Sequence, residues 1–217
     1  MINERSIGIV DNLGAYCFHI LGCGAIGSSA ATQLARMGAE EIVLYDFDKV
    51  EIENVGVSQY YQSDIGKYKV DALKEHIKQI DNDITVITHA KRFDEWESSP
   101  KNDIVVIGFD SMQSRLEAVT IISNKGKFHC PTFMIDGRMG AEHYQQYLFV
   151  KPTLKSYIKS WYSDEEGDPE PCNAKATSYC SNMSGSFIVN AIRKFVMEQP
   201  LDMEISFNFP TSMIQIK

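Results

Sequence analysis

Apolar positions along the chain change period several times, and each change marks an expected element. Ala15 to Leu21 (AYCFHIL) is an apolar-rich run with the length of a buried strand. From Ala25 to Met37 the period lengthens. Ile26, Ala30, Leu34 and Met37 share one helical face, and Gly38 supplies the stop. Ile42 to Tyr45 is a second short strand. Gly66 precedes another helical face, made of Val70, Leu73, Ile77 and Ile80. Strands are expected again at Ile84 to Ile87 and Ile104 to Ile107. Ser111 to Asn124 then reads as a helix carrying Leu116, Val119 and Ile122, closed by Gly126. Two more strands are expected at Thr132 to Ile135 and Tyr144 to Val150.

Strands alternating with helices predict crossover units. The fold class is therefore α/β, with a Rossmann-like, mostly parallel sheet flanked by helices. The pattern changes after Val150. Lys159 to Tyr179 is polar and acidic, lacks a period and contains Pro169 and Pro171, so it reads as a long surface crossover loop. A helix from about Ser184 to Met197 follows, burying Phe187, Ala191 and Phe195. EISFNF and SMIQIK then read as short strands. A chain of 217 residues fits a single domain over residues 1–217.

The net charge of −8 disfavours nucleic acid or an anionic membrane as a partner. No apolar run approaches membrane-spanning length. The five cysteines are odd in number and include no CxxC pair, which fits a reducing cytoplasm rather than a disulfide framework. Cys17 and Cys23, in or beside the first strand, read as packing residues. The five histidines show no metal-ligand spacing, and His19, inside a strand, reads as a core residue.

Chemistry concentrates around three glycines. Gly22, Gly24 and Gly27, with Ala25 and Ile26 between them, form GxGxxG between a strand and a helix. The first glycine permits a tight turn, the second lets backbone approach phosphate, and the third lets helix and strand pack closely. The helix N-terminus adds free N–H groups and a positive dipole end. Asp46 ends the second strand where an acid commonly binds ribose hydroxyls. A nicotinamide-dependent oxidoreductase would use the loop and Asp46. It would leave Asp48, Lys69 and the unit from Asp110 to Arg115 without a role.

The run DFDKVEIENVGVSQYYQSDIGKYKVDAL is more specific. With the glycine loop it resembles the ThiF/MoeB/HesA family of ATP-dependent adenylyltransferases, which includes the ubiquitin-activating enzymes. That family has an Asp-x-Asp strand end, an Asn, a Gln and a Gly-x-x-Lys. Asp46, Asp48, Asn54, Gln59, Gly66 and Lys69 match in turn. The resemblance runs from about Phe18 to Arg115, with weaker echoes to Lys194. It implies ATP at the glycine loop, with Asp46 on the ribose. Asp48 would lie at the rim of the phosphate site, near the metal or the substrate carboxylate. Lys69, with Lys67 as the neighbouring candidate, would supply the cation at the phosphates. DIVVIGFD followed by Arg115 implies that Asp110 holds Mg²⁺, although the local sequence fits a helix N-cap equally well.

The implied reaction is adenylation of the C-terminal carboxylate of a ubiquitin-like or sulfur-carrier protein, or of a peptide. The acyl adenylate would pass to a thiol or amine. Arg5 would reach the neighbouring site of a homodimer. Cys172, in the crossover loop, would accept the acyl group, with Cys180 as the alternative. The acids around Cys172 fit an inert cysteine equally well. Asp136 and Arg138 would line a substrate channel or hold a turn. The family's Asn-x-x-Arg-Gln is altered here: Asn54 to Gln59 is one residue longer and lacks arginine. Lys67 or Arg138 would have to replace that cation. Otherwise the chain is a non-catalytic nucleotide-binding relative serving as a partner subunit. The family's paired CxxC motifs are absent, so no zinc is expected.

Overall fold

The computed structural model describes residues 4–6, 8–166 and 176–217. Eight strands form one sheet: β1 (Tyr16–Leu21), β2 (Glu41–Tyr45), β3 (Thr85–His89), β4 (Asn102–Ile107), β5 (Phe133–Gly140), β6 (His143–Val150), β7 (Glu204–Asn208) and β8 (Met213–Ile216). Their order is β3-β2-β1-β4-β5-β6-β7-β8. The first five are mutually parallel, and β6 to β8 add antiparallel neighbours. Helices α1 (Ala25–Arg36) and α4 (Met112–Asn124) make the crossovers β1 to β2 and β4 to β5. The connection from β2 to β3 holds α2 (Ile52–Val57) and α3 (Lys69–Ile80). The chain leaves β1 in one direction toward β2 and returns on its other side as β4. A crevice therefore opens at the carboxyl ends of β1 and β4, where the strand order reverses.

Period-two alternation divides β1 between two cores. Phe18 and Ile20 face Leu34 of α1, Leu73 of α3 and Ile188 of α6 (Ser178–Val196). Cys17 and Leu21 face the opposite layer, with Val119 of α4, Trp96 and Tyr157, the last residue of α5 (Leu154–Tyr157). Among the described residues, no helix is long and apolar enough to cross a membrane.

Three differences from the sequence expectation have physical causes. β5 continues to Gly140 rather than stopping at Ile135, because Asp136 and Arg138 are buried as a charge pair within the strand. α6 begins at Ser178 rather than Ser184. Its first turns, SYCSNMSG, are poor helix formers that tertiary packing holds in place. Ser181 donates to the Ala25 carbonyl at 2.8 Å, and a Cβ on Gly185 would stand 2.3 Å from Ser29 Oγ, so only small residues allow α6 this close to α1. α2 was not expected at all. It is a single short helix in which Asn54 Oδ1 accepts from the Glu51 N–H at 2.9 Å.

Candidate active site

The glycine loop occupies the crevice, and its three glycines have separate reasons to be glycine. Gly22 has φ 92°, and a Cβ there would lie 2.9 Å from the Gly108 carbonyl, where the ends of β1 and β4 meet. A Cβ on Gly27 would lie 1.8 Å from the Gly22 oxygen, which fixes the close approach of α1. Gly24 differs. A Cβ there meets nothing within 4 Å, and the residue lines a cleft of about 1240 Å³. A side chain at that position would fill space that is open in the fold. Ala25 and Ile26, at the start of α1, line the same cleft.

Asp46 stands at the end of β2, 9% exposed. Its carboxylate accepts the N–H of Cys23 at 2.7 Å and that of Asp48 at 2.8 Å, which ties the strand end to the glycine loop. Burial raises its pKa, partly offset by those two N–H groups and by the Lys69 charge. Asp48 takes the Lys69 ammonium at 2.9 Å. Burial pulls the Lys69 pKa down. The Asp48 hydrogen bond and the charges of Asp46, Asp48 and Asp110 outweigh it, so the net shift is upward and the lysine stays charged. Lys69 opens α3, and the turn before it fixes its place: the Lys69 N–H donates to the Asp48 carbonyl at 2.9 Å.

Asp110 is exposed in the cleft, just beyond β4. It makes no hydrogen bond or ion pair with the described residues. The helix-cap alternative does not hold, because Ser111 is the N-cap of α4 and accepts the Ser114 N–H at 3.2 Å. Asp164, from the start of the segment read as a surface loop, accepts the Met112 N–H at 2.7 Å and so packs on the start of α4. Arg115 is buried. It donates to Asp136, to the Gly137 carbonyl at 2.8 Å and to the Phe109 carbonyl. Arg138 holds the other oxygen of Asp136 at 2.6 Å and the Ser160 carbonyl at 2.8 Å. Tyr157 donates to the same carboxylate at 3.1 Å. One fully buried acid thus fixes two arginines in the cleft wall.

The structure does not gather every expected residue here. Asn54 caps α2, and Gln59 Nε2 donates to Asn182 at 2.8 Å; neither lines this cleft. Gly27 lies behind the loop. Lys67 is outside the cleft too, paired with Glu75 at 2.6 Å and Asp64 at 3.4 Å. Arg5 is exposed in the N-terminal turn and does not line the cleft. Cys172 lies outside the described residues. Cys180 is fully buried in α6, its thiol pushed up to about 11 by burial and then by Glu142. Conversely, Phe47, Lys91 and Arg92 line the cleft without having been singled out. Lys91 pairs with Asp94 at 2.9 Å, and Arg92 lies over the Phe47 ring at 5.9 Å. A basic pair just past a parallel strand's carboxyl end, as in THAKRF, was the signal that could have found them.

The ThiF family model matches residues 8–203. Ubiquitin-like modifier-activating enzyme 5 of Oryza sativa subsp. japonica is 33% identical over 117 residues, which are 52% of this chain and 25% of that protein. The chain thus spans about a quarter of that relative's length. A structure of E. coli MccB with AMPCPP and MccA superposes with a TM-score of 0.76 at 18% identity, covering 100% of this chain and 71% of the other. E. coli MccB with ATP gives a TM-score of 0.75 at 18% identity, covering 100% and 67%. At that identity the likeness is one of fold.

Proposed function

The chain belongs to the ThiF family, and from that premise we propose that it is an adenylyltransferase that activates a carboxylate with ATP, acting as a single adenylation domain. The carrying observation is the one cleft that joins the open side of Gly24, the acid Asp46, the cation Lys69 and the free carboxylate of Asp110. Each matches a requirement of the reaction. The glycine loop and the α1 N-terminus receive phosphate, and Asp46 receives the ribose. Lys69 offsets repulsion as a carboxylate approaches a polyanion. The incoming carboxylate attacks the α-phosphorus, the bond to the β-phosphate oxygen breaks, and pyrophosphate leaves. The carboxylate is already a nucleophile, so the protein contributes positioning and electrostatic stabilisation.

Asp110 fits a hard divalent cation, being an exposed carboxylate in the cleft with no hydrogen bond or ion pair among the described residues. Bound there, Mg²⁺ would neutralise charge on the phosphates. The substrate is the C-terminus of a ubiquitin-like or sulfur-carrier protein, or of a peptide. Ubiquitin-like modifier-activating enzymes among the relatives and MccA in the MccB structure support both classes. The segment that lacks the family arginine lies off the cleft, while Lys91 and Arg92 line it, so these two are the better replacement cations. A homodimer with Arg5 reaching the neighbouring site, and Cys172 as acyl acceptor, complete the reading.

The test is exchange of labelled pyrophosphate into ATP, with candidate carboxylate partners and Mg²⁺. Partner-dependent exchange is expected. ATP binding without exchange, for every partner tried, would leave a non-catalytic subunit instead.

A further inference from the structure

At the amino ends of the same strands, opposite the cleft, donor side chains converge. Cys17 and His19 stand two residues apart on β1 and face the α4 layer. Asp103 on β4 is the direct register partner of Cys17. The pairing of Phe18 with Ile42 places Glu41, at the start of β2, on the other side of Cys17. One ligand atom from each of Cys17, His19 and Asp103 lies within 4.8 Å of the others, and all three residues are buried. His19 Nε2 is 2.8 Å from Asp103 Oδ1, and its buried Nδ1 has no hydrogen-bond partner among the described residues.

The Cys17 thiol hydrogen-bonds the Glu41 side chain and lies beside the Asp103 carboxylate. The basic group at the rim is Lys101, whose Nζ is 3.8 Å from Glu41 Oε2 and which also contacts Glu40. Two carboxylates, a thiol and an imidazole therefore converge, with Lys101 at the rim.

We propose that Cys17, His19 and Asp103 bind a divalent transition-metal ion, with Glu41 completing the set from the rim. One sulfur, one nitrogen and carboxylate oxygens suit Zn²⁺. On binding, the thiol proton leaves to solvent as the sulfur–metal bond forms, and the ion's charge offsets the thiolate and the carboxylates. Access lies through Glu41 and Ser99, both partly exposed. Ser99 donates to Glu41 at 3.3 Å and to Asp103 at 3.1 Å, so its movement opens the way in. The ion would clamp β1, β2 and β4 beneath the cleft. These donors are not the paired CxxC motifs of the family, and their absence does not bear on this site.

The test is titration of chelator-treated protein with Co²⁺, followed by Zn²⁺ displacement. A thiolate-to-cobalt charge-transfer band saturating near one ion per chain is expected, with proton release and a Zn²⁺-dependent rise in Tm. Cys17→Ser, which changes one atom, should lose the band while retaining native circular dichroism. His19→Gln should weaken binding by at least about tenfold. Cys23→Ser and Cys180→Ser should keep the band. A wild-type protein without the band overturns the proposal. So does an equal band, or an equal rise in Tm, in Cys17→Ser. These readouts are independent of adenylation.

Discussion

At the carboxyl ends of β1, β2, β4 and β5, each acid has a defined neighbour or open space. Asp46 has two backbone N–H groups, Asp48 has Lys69, Asp136 has two arginines and a tyrosine, and Asp110 has the cleft. At the amino ends of three of those strands, Glu41, Asp103 and Cys17 crowd around a histidine, with Lys101 at the rim. The crossover direction explains part of the contrast. After β1 and β4, helices start at the carboxyl end and bring N–H groups and positive dipole ends to the cleft. The C-terminus of α1 returns toward the start of β2 with the opposite sign. One end of the sheet is built for anions. The other end is better suited to a cation.

The most disruptive way to probe this contrast is to neutralise one buried acid at each end. Asp136→Asn leaves Arg115 and Arg138 buried without a counter-charge, and a broken buried pair costs about 3–5 kcal/mol. Asp103→Asn in metal-free protein keeps an acceptor oxygen for His19 and the Ser99 N–H, both of which bond Oδ1, and should cost only about 1 kcal/mol. Urea denaturation measures both. Equal losses would mean that the two carboxylates are held in the same way.

Asp110 sharpens the comparison from the functional side. It is exposed and makes no hydrogen bond or ion pair with the described residues, so Asp110→Asn should leave the unfolding free energy from urea denaturation within about 0.5 kcal/mol of wild type. Pyrophosphate exchange should nevertheless fall by about a hundredfold or more, because an amide is a poorer ligand for a hard cation. Near-normal exchange in the folded variant would remove Asp110 from the metal role.

The two ends also differ in how far sequence reveals them. The glycine loop, α1 and the Asp46 strand end were legible because their signals are local: spacing, period and a strand-to-helix switch within a few dozen residues. Of the residues expected at the site, Gly22, Gly24, Ala25, Ile26, Asp46, Asp48, Lys69 and Asp110 share the cleft, whereas Asn54 and Gln59 do not. The extra residue before Gln59 falls in a segment that folds as α2, and a motif match carries no information about such a turn. The amino-end cluster is not legible along the chain. His19 and Asp103 are 84 residues apart, and only the β1–β4 register brings them together. Asp136 was legible only in part: Arg138 follows it two residues on, but Arg115 comes from a separate helix.

The mildest test concerns Asp46, the acid that shares features of both ends: it is buried, yet it lines the cleft. Burial raises its pKa despite two N–H donors and Lys69. With the folded value above the unfolded one, its contribution to stability is present below the unfolded pKa and lost as pH rises through the folded pKa. At neutral pH the ionised form is thus held at some cost to the fold. In the proposed function that ionised form receives the ribose hydroxyls. Nucleotide affinity should therefore fall on acidification sooner than an ordinary aspartate would allow. Asp46→Ala should raise the KM for ATP about tenfold, the worth of a hydrogen bond to a charged group, and leave kcat nearly unchanged. It should also flatten the acid limb of the KM profile. Loss of kcat at saturating ATP with unchanged KM would place Asp46 in the chemical step. An acid limb identical to wild type would assign that titration to another carboxylate in the cleft.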